Sequence, residues 1–196
     1  TITGSGDMDL KNHPAWWQYE EMQITSVSMP EGMTSISSYA FEGHPIATII
    51  VPASVEEVED RAFADNDQLT HFEYLGNNIH WGTEDLYWDN RPLSGCDNLQ
   101  YFRGNVELGN YYRVDTLIVS NGIAGEGLED IQYVDLTNAD NTSTDWSLAE
   151  DWEGIPATRT LYLPTILTEI TDFAFLNLRY LKEITIPAGV TYIGAG

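Results

Sequence analysis

Apolar residues recur along this chain at fixed offsets from a proline. Take Pro30, Pro52, Pro164 and Pro187 as origins: Val27, Ile49, Leu161 and Ile184 stand three residues before them. Met29, Val51, Leu163 and Ile186 stand one before; Met33, Val55, Leu167 and Val190 stand three after. Ile36, Val58, Ile170 and Ile193 stand six after, and Ala40-Phe41, Ala62-Phe63 and Ala174-Phe175 close three of the four copies. The first two origins are 22 residues apart and the last two 23. Self-similarity at that period predicts a solenoid.

Each offset has a physical job. Alternation before the proline predicts a strand with one face inward. Proline carries no N–H for a ladder, so it ends the strand. Two apolar residues at three-residue spacing then predict a tight turn or a short helical segment on the far side. Alanine lets neighbouring coils approach, and phenylalanine fills the interior. A lone coil buries too little to offset the ordering of its backbone, so stacking must supply the fold.

The strand starts read as Ile24, Ile46, Leu69, Leu99, Val114, Ile131, Thr158 and Leu181, spaced 22, 23, 30, 15, 17, 27 and 23 residues. That predicts about eight coils over 24–196, with an irregular, inserted centre at about 76–157. Pro92-Leu93 stands where Ala-Phe stood in the earlier copies. Residues 1–23 fall outside the repeat; Trp16 and Trp17 there predict an N-terminal cap, or else a ligand platform. The fourth copy stops at Gly196 before its Ala-Phe, which fits an array cut in mid-repeat or two chains paired end to end. The start at Thr1, with neither Met nor leader, fits a removed leader or a piece of a longer protein.

"IPAGVTYIG" (186–194), "MPEGMTSISSYAF" (29–41) and "VPASVEEVEDRAF" (51–63) resemble the repeat of BspA-like bacterial surface leucine-rich proteins. "LSGCDNL" (93–99) resembles the end of that repeat and puts Cys96 at its structural cysteine; "TITGSGDM" (1–8) is similar to the segment that often precedes such repeats. The resemblance implies an α/β leucine-rich repeat solenoid, a right-handed superhelix with a parallel sheet on one face. It also implies export, often with cell-surface anchoring, in host-associated bacteria, and adhesion to proteins or other cells. It brings no catalytic residues.

Composition narrows the partners. Acids number 31 against 8 bases, a net charge of −23. That sign argues against nucleic acid and anionic membranes, and no apolar run is long enough to span a bilayer. It fits solubility alone, a cationic partner or weakly held Ca²⁺. Asn138–Asp151 has alternating Asp and Asn, yet Ser143 and Ala149 stand where an EF-hand needs Gly and Glu, so no full calcium motif is present and no cofactor is expected. The lone Cys96 reads as a packing residue rather than a reactive thiol. His13, His44, His71 and His80 form no zinc-type pair, and no nucleophile elbow occurs. The chain therefore reads as no enzyme; a carbohydrate-active enzyme using Glu84 and Asp85 is the remote alternative.

Strand geometry offers better candidates. Residues two and four before each repeat's proline position point to solvent. They include His71, Glu73, Tyr101, Arg103, Ile118, Tyr133, Asp135 and Tyr162. Tyr and Arg are the side chains that dominate binding hot spots, although Tyr and Ile also simply favour strands. The rival site is the insertion carrying Trp81, Tyr87 and Trp88, whose aromatics could equally pack on the solenoid. The expectation is an extracellular or surface protein of a host-associated bacterium that binds a protein or glycan without catalysis. A structural spacer for another domain is the alternative.

Overall fold

The computed structural model describes residues 5–8, 23–77, 79–82, 91–105, 114–121, 131–140, 158–175, 178 and 180–195. Two compact units divide the chain, residues 1–99 and 100–196. In the first, β1 (Gly6–Asp7), β2 (Met33–Ile36), β4 (Glu57–Val58) and β6 (His80–Trp81) form one parallel sheet. There β3 (Thr48–Val51) and β5 (His71–Tyr74) pair in parallel, Thr48 with His71 through Val51 with Tyr74. In the second unit, β7 (Tyr101–Asn105), β8 (Thr116–Asn121), β9 (Tyr133–Asp135), β10 (Thr160–Tyr162) and β12 (Glu183–Thr185) run parallel in that order. β11 (Glu169–Ile170) pairs with β13 (Tyr192–Ile193), also in parallel.

Seven of the eight expected strands form, each two residues after its expected start. The first does not: Gln23–Pro30 carries no strand. A segment at the end of an array has a ladder partner on one flank at most, and pairing there is correspondingly weaker. Despite the unequal central spacing, Tyr101, Thr116, Tyr133, Thr160 and Glu183 stand in one row across five strands, and β7 slips register against β8 at Gly104/Asn105.

The return path differs from the expected helical option: among the described residues there is no helix. Each proline carbonyl accepts the N–H three residues on, from Met33 (3.4 Å), Val55 (3.2 Å), Leu167 (3.0 Å) and Val190 (3.2 Å). The turn carries the chain into a second short parallel strand, β2, β4, β11 or β13. The three-residue apolar spacing thus belongs to a turn followed by a strand, with Met33, Ile36, Val55, Val58, Leu167 and Ile170 all buried.

Nine residues after each of three prolines the backbone turns left-handed at a non-glycine residue: Tyr39 (φ 60°), Arg61 (φ 54°) and Phe173 (φ 60°). That conformation costs roughly 1–2 kcal/mol per residue. It aims alternate N–H groups at the next coil, as in Tyr39 to Asp60 O (3.0 Å), Phe41 to Ala62 O (2.7 Å) and Gly43 to Ala64 O (2.9 Å). Phe63 and Asp65 repeat the pattern onto Pro92 O (2.8 Å) and Ser94 O (2.7 Å), and Phe173 onto Ala195 O (2.9 Å). Arg61 is further braced by Glu42 (Nε to Oε1, 2.8 Å) and by Asp65.

Inside the first unit Phe41 stacks on Phe63 (5.7 Å between centroids, 7°), and Phe63 meets Phe72 edge-on (5.9 Å, 64°). Beside them runs a polar column in equivalent repeat positions: His44, Asn66 and Cys96. Asn66 is fully buried; its Nδ2 donates to Phe41 O (2.8 Å) and Phe63 O (2.6 Å). Cys96 Sγ donates to Phe63 O at 3.3 Å, so Asn66 and Cys96 each reach the phenylalanine carbonyl of the coil before them. Burial lowers the His44 pKa and favours the neutral ring.

Burial is also the main reason the Cys96 thiol is pushed up from 9.0 to about 11, with the Asp65, Asp97 and Asp67 charges adding to it and the Asn66 backbone N–H opposing it. At pH 8 that leaves the thiolate about a hundredfold scarcer than in a free thiol. Native Cys96 is therefore expected to react with iodoacetamide at least about a hundredfold more slowly than in urea-unfolded protein; comparable rates would place the thiol outside the core.

Candidate functional site

The strand-borne candidates lie on the solvent side of the β3–β5 pair in the first unit and of the five-stranded β7-β8-β9-β10-β12 array in the second. In β3 and β5 the residues pointing inward, Ile49, Val51, Phe72 and Tyr74, are buried, while Thr48 and Ile50 are exposed and His71 and Glu73 half-buried. His71 Nε2 stands 3.9 Å from Glu73 Oε2, at the limit of an ion pair and charged only when the imidazole is protonated.

The second unit carries the denser face. Phe102, Leu117, Val134 and Leu161 point inward and are buried. Between them, two rows face outward. One row is Tyr101, Thr116, Tyr133, Thr160 and Glu183; the other is Arg103, Ile118, Asp135, Tyr162 and Thr185. Tyr101, Arg103, Ile118, Tyr133, Asp135 and Tyr162 are each half-buried, as expected of side chains lying on a sheet. Parallel pairing in register puts residues that are 15 to 27 positions apart in sequence about 4.8 Å apart in space.

Tyr133 and Tyr162 meet across β9 and β10, with ring centroids 5.7 Å apart and planes inclined at 46°. Two rings in mutual contact lose little freedom when a ligand covers them, which suits them to binding. The Tyr133 phenol is held above its ordinary pKa by partial burial first, then by Asp135, by Tyr162 and by Glu183. Asp135 Oδ1 accepts the Thr137 N–H at 2.9 Å, which fixes the carboxylate beside the rings.

The rival loop site divides differently. Trp81, in β6, packs against Phe72 (5.7 Å, 55°) and Tyr74 (6.4 Å, 78°), two core rings. Tyr74 is itself pinned, its Oη donating to Val55 O at 3.0 Å. Tyr87, Trp88, Glu84 and Asp85 lie outside the described residues, as do Trp16, Trp17 and most of Asn138–Asp151. Among the described residues no group of three or more His, Cys, Asp or Glu is placed to hold a metal ion. No described helix is long and apolar enough to cross a membrane.

Sequence reasoning missed the column of His44, Asn66 and Cys96 as a set. Its signal was present: aligning "AFEGH", "AFADN" and "PLSGC" puts these three residues at one position.

The model of the BspA type leucine rich repeat region matches this chain in six copies, over residues 17–104 and 153–196, about two thirds of its length. Among solved structures, a leucine-rich repeat protein from Eubacterium ventriosum ATCC 27560 is similar at 13% identity, over 99% of this chain and 88% of that one, with a TM-score of 0.30. No curated protein matches.

Proposed function

Since the chain belongs to the BspA-type leucine-rich repeat family, we propose that it is an exported or cell-surface bacterial protein that binds a protein or glycan without catalysis. The buried half of each repeat is spent on the fold, so recognition falls to the side chains the repeat turns toward solvent. The observation that carries this reading is the Tyr133–Tyr162 contact on the open face of the second unit, with Asp135 in register with Tyr162 and Arg103 in the same row. His71 and Glu73 offer a smaller patch on the first unit. Adhesion is the role such a face would serve on a cell surface.

The finer architecture follows the same reading. Parallel neighbours joined by a crossover are right-handed in nearly all proteins, so the repeats are read as right-handed coils, about eight in all, with residues 1–23 as a cap.

The test is capture of extracellular-matrix proteins and mucin glycans on a surface array. Wild-type chain is expected to bind at least one class of target. Tyr133→Ala with Tyr162→Ala is expected to weaken that binding about 30-fold or more, the loss typical of a hot-spot pair. Absence of binding to any target would favour the spacer role instead.

A further inference from the structure

We infer that the face formed by β9, β10 and β12 receives an extended basic segment of a protein partner, with two cationic side chains four residues apart seated on Asp135 and Glu183 and the chain between them lying over Tyr133 and Tyr162. This names the partner of the recognition face proposed above and rests on that reading.

Register supplies the geometry. Tyr133, Thr160 and Glu183 form one row of a rectangle, and Asp135, Tyr162 and Thr185 the other. Neighbouring strands lie about 4.8 Å apart, and residues two apart along a strand about 6.7 Å, so the Asp135 and Glu183 backbone positions are roughly 12 Å apart on the diagonal. That diagonal crosses the tyrosine pair. An extended chain presents residues i and i+4 on one side about 13 Å apart, which matches the separation. Lysine or arginine stems would cover the rings, and their cationic heads would meet the carboxylates and the ring faces together.

Charge agrees with the geometry. The rectangle holds two carboxylates and no base, and the chain as a whole carries −23, which draws cations toward it. The same two carboxylates contribute to the raised Tyr133 pKa, so the field over that ring is negative. Arg159 and Lys182 stand one residue outside the rectangle, next to Thr160 and Glu183, and both are exposed. Asp135 is already fixed by the Thr137 N–H, so little freedom remains to be lost on binding.

The probe is a capped, fluorescent Lys-Thr-Gly-Thr-Lys peptide, read by polarisation at low salt, beside the same peptide with Glu for Lys and a panel of neutral oligosaccharides. The lysine peptide is expected to bind wild-type chain and the glutamate peptide not. Asp135→Asn with Glu183→Gln is expected to weaken binding at least tenfold. Glu169→Gln with Asp172→Asn, the same charge change on the exposed β11 segment, is expected to change it less than twofold. Equal losses in the two pairs would reduce the effect to net charge and overturn the inference. Tyrosine-dependent capture of an oligosaccharide without the peptide would overturn it while leaving the recognition face standing. Capture of neither would overturn both.

Discussion

Asn66→Ala is expected to lower the stability of residues 1–99 by about 3 kcal/mol, seen as a fall in the urea midpoint at unchanged slope. The side chain is fully buried and donates to Phe41 O and Phe63 O, carbonyls of two successive coils. Alanine removes the Asn66 donor from Phe41 O and leaves Phe63 O with the Cys96 thiol alone, and a buried unsatisfied group costs about 1–3 kcal/mol. Asn66→Cys is the sharper variant. The equivalent Cys96 makes one such donation, to Phe63 O at 3.3 Å, so cysteine at 66 is expected to recover part of the loss. If Asn66→Cys is no more stable than Asn66→Ala, the column is not a ladder of donors.

Phe63→Ala is expected to cost more, about 3–5 kcal/mol, the range for emptying a large aromatic site in a core. Phe63 is fully buried between Phe41, stacked at 5.7 Å, and Phe72, edge-on at 5.9 Å. Its own N–H donates to Pro92 O at 2.8 Å, so the residue ties together three successive coils by ring and backbone. In a repeat array the damage concentrates where the coils meet. Hydrogen exchange is therefore expected to accelerate most in the amides of Phe41, Gly43, Phe63 and Asp65, which donate from one coil to the next. Uniform acceleration across the unit, or a loss under 1 kcal/mol, would show that the ring contributes far less to the inter-coil contact.

The proline-centred repeat made the strands legible because burial there alternates with period two: Ile49 and Val51 inward, Thr48 and Ile50 outward, in the structure as in the pattern. It left the return path ambiguous. A three-residue apolar spacing such as Val55 and Val58 suits a helical turn as well as a β-turn entering a strand, and the pairing of β4 with β2 and β6 that decides it leaves no mark in that spacing. The left-handed residues were hidden for a related reason. Tyr39, Arg61 and Phe173 are not the glycines or asparagines that announce such a conformation; inter-coil hydrogen bonds impose it on them. Tyr133 and Tyr162 were legible as outward-facing residues, since strand parity alone places them. That their rings touch was not, because the contact depends on the register of β9 against β10, and 29 residues separate the two positions.

The division of labour between buried scaffold and open face is tested most directly by measuring melting temperature and target capture on one preparation of Tyr133→Ala with Tyr162→Ala. The melting temperature is expected to stay within about 3 °C of wild type, because neither ring is part of the buried core, while capture falls about 30-fold or more. Capture that survives both substitutions, or falls only together with the melting temperature, would contradict it.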